Sequence, residues 1–134
     1  MKILNLIICC SIFFFSCTST NDVLNRVSGS WTLSHTEGLL GDVSAALEWS
    51  ILKIEDDQFQ LISLTESGDQ EEVARGFIQE CESSIFQNCF SFSITFKRIG
   101  SSFFMENEGS KIIRIQDGAF SLESINGQEL SYFF

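Results

Sequence analysis

Cys89-Phe90-Ser91-Phe92-Ser93-Ile94-Thr95-Phe96-Lys97 is the stretch that decides the fold class of this chain. Phe90, Phe92, Ile94 and Phe96 alternate with Ser91, Ser93 and Thr95. A period of two puts the apolar set on one face of an extended strand and the hydroxyl set on the other. A strand with one dry and one wet face belongs to an antiparallel sheet.

The same grammar continues on both sides. Toward the C-terminus, a turn over 98–101 leads to a strand over 102–106. A turn over 107–109 leads to another strand over 111–116. Asp117-Gly118 is a hairpin signal before a strand over 119–124, and Asn126-Gly127 is a second before 128–134. Toward the N-terminus, strands are expected over 75–81, 59–66 and 48–55, with a solvated acidic loop over 67–72 and a turn at Asp56-Asp57-Gln58. Further back, Leu39, Val43 and Leu47 recur at helical spacing behind Asp42, a good N-cap residue, so a short helix is expected over 43–48. Trp31, Leu33 and His35 are expected inward on a first strand, with Thr32, Ser34 and Thr36 outward. The total is about eight or nine short strands and one short helix. Such a meander must hide its edges. The expected fold is all-β, an antiparallel up-and-down barrel; the alternative is a small two-sheet sandwich.

The start of the chain has a different character. Residues 3–15 are apolar apart from Asn5 and Ser11, and Lys2 precedes them. That is a charged region followed by an apolar run of secretory length, shorter than the roughly 20 residues a membrane span needs. Ser16-Cys17 closes the run, and a polar stretch, Thr18-Ser19-Thr20-Asn21-Asp22, follows. The segment resembles a bacterial lipoprotein signal peptide, whose box is Leu, a small residue, Gly/Ala/Ser and then Cys. Ser16 and Cys17 match it; Phe14 is apolar in the Leu position, and Phe15 is larger than its slot. The resemblance implies removal of residues 1–16 and acylation of Cys17. Two or more acyl chains make a stable membrane anchor. The implied organisation is a signal over 1–16, a lipidated cysteine and polar tether over 17–27, and a β domain over 28–134. The implied location is the bacterial envelope, at the outer membrane.

Charge narrows the partners. The 134-residue chain has a formal net charge of −10. Lys2 is the only charged residue of the first sixteen, so the remainder keeps all 18 acidic residues and one fewer than the 8 basic ones. This composition argues against nucleic acid, which is bound by neutralising phosphates, and against docking on anionic lipid by charge. The rest of the chain is long enough for one domain and not for two.

Of the five cysteines, the resemblance implies that Cys9 and Cys10 leave with the signal and that Cys17 would carry lipid. Cys81 and Cys89 remain, an even pair in an oxidising compartment, flanking a short loop between two expected strands. A disulfide is expected between them. Two thiols and a single His do not make a zinc site, and neither Asp56-Asp57 nor Glu71-Glu72 has the oxygen spacing of a calcium loop. No metal, cofactor or catalytic residues are expected, because one His leaves no nucleophile–base pair to argue from.

Gly29-Ser30-Trp31 at the head of the first strand resembles the Gly-x-Trp signature of lipocalins and fatty-acid-binding proteins. With Ile125-Asn126-Gly127-Gln128-Glu129-Leu130 leading into a final strand, it looks like the small lipocalin-like domains of bacterial lipoproteins. The resemblance implies a barrel end closed by Trp31. It also implies a chamber that could take a small apolar ligand, lined by Trp31, Leu33, His35, Phe90, Phe92, Phe96 and Phe120. In that family a basic residue near the last strand packs on the Trp; the final strand here has none, and Arg114 lies two strands earlier. The expected function is non-enzymatic: a structural or protein-binding module, with the ligand carrier as the alternative.

Overall fold

The computed structural model describes residues 21–82, 86–97, 110–125 and 129–134, with the side chains of Asn21, Phe96 and Lys97 outside the description. The expected signal, Cys17 and the strand over 102–106 lie outside these residues.

Among the described residues, nine strands form one antiparallel sheet. They are β1 (Gly29–Thr32), β2 (His35–Glu37), β3 (Ile51–Glu55), β4 (Gln58–Leu64), β5 (Gln70–Glu80), β6 (Cys89–Lys97), β7 (Ser110–Gln116), β8 (Ala119–Ser124) and β9 (Ser131–Phe133). The order is β1-β3-β4-β5-β6-β7-β8-β9-β2. The two edge strands, β1 and β2, are consecutive in the chain. No ladder joins them; the backbone at Leu33–Ser34 does. Leu33 N–H donates to Ser50 O (2.8 Å), beside β3, and Ser34 N–H donates to Phe133 O (2.7 Å), in β9. One segment thus serves both edges, and the all-β sheet is barrel-like.

This switch of edge corrects the first strand's expected faces. Trp31 and Leu33 do pack against the core. Beyond Ser34 the phase inverts: Thr36 is buried, and His35 lies flat on Phe133 (centroids 4.7 Å, 6°) on the outer side. A strict period of two holds only while a strand keeps its partner.

β6 and β8 begin and end where the alternation places them. β5 begins earlier, at Gln70, because its register with β4 slips at Leu61/Ile62. The extra residue turns Val73 and Ala74 inward together. A second slip falls between Arg75 and Gly76. There a Cβ on Gly76 would collide with Ser93 O and sit 2.7 Å from the Phe59 ring, so only glycine fits.

Two helical pieces flank the first strand. The expected tether is helical from Asn21 to Arg26, α1, with Asp22 in its first turn and Arg26 in its last, both favourable to the helix dipole. Leu24 and Val27 are buried. The helix expected over 43–48 is a single 3-10 turn, Ser44–Ala46. Gly41 has φ +73°, which breaks the helical phase between Leu39 and Val43. Val43 and Leu47 still reach the core, while Leu39 does not.

The core is aromatic and continuous. Trp31 meets Phe120 edge-on (4.6 Å), Phe120 stacks on Phe134 (4.6 Å), Trp49 touches Phe134 and Tyr132, and Phe59 meets Phe92 (5.3 Å). Edge-on and offset stacking is the favoured geometry for such rings.

The register assigns the barrel two ends. Gly29, the turn after Glu55, the β5–β6 connection and the turn after Gln116 share one end. Here α1 closes the opening: Ser28 Oγ donates to Ile54 O (3.4 Å), and Val23 and Arg26 share a groove with Phe86, Asn88 and Ile113. The expected disulfide, Cys81–Cys89, is present at this end with Cα atoms 5.4 Å apart. The opposite end carries residues 38–50 and 65–69, Ile125 and the Glu129–Leu130 segment.

Candidate functional site

Phe90, Phe92 and Phe120 are buried in the core, and Trp31 and Leu33 pack against it. Phe96 lies in β6, opposite Arg75. His35 stands apart from them on the outer wall. The polar partner of Trp31 is not a basic side chain: Nε1 donates to Val27 O (2.8 Å), tying the strand to the exit of α1. Arg114 is exposed and bonds Glu123 across the β7–β8 pair (2.6 Å).

His35 has polar neighbours of its own. Nδ1 lies 3.3 Å from Ser34 Oγ, and Nε2 lies 3.3 Å from Glu37 Oε1. Ser34 and His35 border an open outer groove of about 340 Å³, with Phe133 and Arg114 on its rim. Serine, histidine and glutamate are the residue types of a nucleophilic relay, but the setting works against one. Both bonds are at the long limit and join exposed side chains one and two residues apart. Ser34 N–H, which could have faced an oxyanion, is taken by Phe133 O. Among the described residues no group of three or more His, Cys, Asp or Glu could hold a metal ion.

The feature that sequence reasoning missed lies at the end opposite α1. Leu39 and Leu40 are 78% and 68% exposed, side by side in a turn that Gly41 N–H closes onto Gly38 O (3.0 Å). The turn is braced on both flanks. On one, Asp42 Oδ1 accepts from Thr36 N–H (3.1 Å) and Ser44 N–H (3.0 Å), and the buried Thr36 hydroxyl accepts from Val43 N–H (2.8 Å). The bond from the Ser44 backbone, with others from Ser44 and Thr36, holds the Asp42 carboxyl well below its ordinary value, at about 2. On the other flank, Gly38 lies against Glu129 and Leu130 so closely that a Cβ would come within 2.9 Å of Glu129 O.

That second flank is itself anchored by a buried cation. Lys111 is 0% exposed; its Nζ donates to Leu130 O (2.8 Å), sits 3.8 Å from Glu129 Oε2 and faces the Tyr132 ring at 5.7 Å. A buried ammonium is tolerated only with such partners. The sequence did carry signals for both features. Gly38 and Gly41 bracket the leucines, and Lys111 is in phase with the buried Ile113.

Compared with known proteins, the chain matches no family model, no curated protein sequence and no solved structure.

Proposed function

We propose that this chain is a membrane-anchored, non-enzymatic lipoprotein of the bacterial envelope, held at the outer membrane through acylated Cys17. Its lipocalin-like barrel acts as a structural or protein-binding module. The observation that carries the reading is the filled interior. The positions that a carrier would use to line a chamber instead hold rings packed on one another: Phe92 on Phe59, Phe120 on Trp31 and Phe134. With its interior occupied by its own side chains, the domain works through its outer surface.

Phe92→Ala tests this. In a packed core the lost ring leaves a cavity and costs about 3–5 kcal/mol. Around a ligand chamber the loss is much smaller, and the affinity for a fluorescent apolar probe changes instead. Denaturant unfolding and probe titration of that variant are the two measurements. A large stability loss with no probe binding supports the module; a small loss with altered probe affinity supports the carrier.

A further inference from the structure

Two adjacent exposed leucines are costly to keep in water, and this chain keeps them there with a rigid mount. Single exposed apolar residues need no explanation. A braced apolar tip does, because a loop free to relax would fold its leucines down against the wall. Asp42 and Thr36 hold one flank, and Lys111, through Leu130, holds the other. The described loops of this barrel end are acidic. Glu37, Asp42, Glu48, Glu66 and Asp69 occupy the described stretches 37–50 and 65–69, which contain no Lys or Arg.

We propose that the Leu39–Leu40 tip docks into a protein partner, one that offers an apolar socket rimmed by basic side chains. The inference rests on the anchored reading above, and chain length decides between a protein and a bilayer. Cys17 is four residues from Asn21, where α1 begins. Four extended residues reach roughly 14 Å at most. α1 closes the end opposite the leucines, and a strand such as β4, seven residues long, separates the two ends by on the order of 20–25 Å. Such a tether is too short to turn the domain over and press the tip end-on into the leaflet that holds the acyl chains. Acidic loops also disfavour an anionic lipid surface and a second copy of the same tip. A socket with basic side chains on its rim satisfies the apolar pair and its surroundings together.

The test uses the full chain in intact cells of its host, with a photoreactive amino acid at Leu40 or, as a control at the other end, at Phe86. The expected result is one protein adduct of fixed mass from position 40, at least tenfold stronger than from position 86. It should fall at least tenfold when Leu39→Asp is added, and likewise with Glu48→Lys plus Glu66→Lys. An unchanged melting temperature of each variant establishes that the fold is intact. Four results overturn the proposal: label recovered in lipid, an adduct of twice the chain's own mass, equal ladders from both positions, or an adduct indifferent to Leu39→Asp and to charge reversal. Membrane fractionation of the wild type beside Cys17→Ala reads the anchor separately. A wild type that is not membrane-bound but keeps its position-40 adduct refutes the anchor and leaves the docking site standing.

Discussion

Leu24 and Leu39 stand at opposite ends of one barrel. Leu24, on α1, is 5% exposed, and Leu39 is 78% exposed. The α1 end is closed by burial: Leu24 and Val27 enter the core, Trp31 Nε1 bonds the Val27 carbonyl, and a disulfide ties β5 to β6. The far end is held by polar groups, with Asp42, Thr36 and Lys111 fixing backbone that carries apolar side chains outward. Apolar surface thus stabilises one end and decorates the other. Hydrophobic residue type alone does not reveal which use a leucine serves; the direction of the bonds around it does.

If this division is real, the same deletion has unequal effects. Leu24→Ala should lower the unfolding free energy by about 2–4 kcal/mol, since it removes a buried side chain and leaves a hole under α1. Denaturant melts read it directly, and a loss below 1 kcal/mol would mean that α1 is not a structural cap. Next in size is the disulfide. Replacing Cys81 and Cys89 together by Ser should cost about 2–3 kcal/mol, the closure entropy of a short ring. Amide exchange at Ser44 should not change, because the bond lies at the other end; a rise there would show that the two ends are coupled.

Acid should loosen the leucine end through Asp42. Asp42 has a depressed folded-state value, so its contribution is complete above its ordinary 3.8 and is lost as the pH falls through about 2. The amide shifts of Thr36 and Ser44 should titrate with a midpoint near 2. A midpoint near 3.8 would mean that the Asp42 brace does not form in solution. The smallest effect belongs to the tip itself. Leu39→Ala and Leu40→Ala should each leave stability within about 0.5 kcal/mol of wild type, as exposed substitutions do. A loss above 1 kcal/mol in calorimetry would place those side chains against the wall.

The sequence carried the sheet better than its termination. The bounds of β6 and β8 are readable from their alternation, although β6 carries a register slip opposite Arg75/Gly76 and β8 buries Ser121 between Phe120 and Leu122. β5 was cut short because Gln70, Glu71 and Glu72 look like a solvated loop, and no residue pattern announces the slip that turns both Val73 and Ala74 inward. α1 reads as a tether in the sequence: six residues are too few for a helical period to stand out, and burial of Leu24 supplies what propensity does not. The alternation points His35 inward only if its strand keeps one partner, and the partner changes at Leu33–Ser34. Of the candidate lining, Phe90, Phe92 and Phe120 are legible through their phase. The leucine tip was absorbed into a helical face that Gly41 interrupts.

The backbone junction at Leu33–Ser34 sets an order of events. β1 finds its neighbour early, Gly29 opposite Ile54, whereas β2 pairs His35 with Phe133, 98 positions along the chain. The hairpins between them can form as each turn closes, but the ring cannot be completed until β9 arrives. Closing so long a loop is slow, and contacts of that separation dominate the folding time. Until then β8 and β2 expose unpaired edges, which invite another chain. A chain that emerges N-terminus first has its first strand half satisfied, waiting for its last. Assistance during that interval, or speed in delivering β9, would govern how much of the protein reaches its native state.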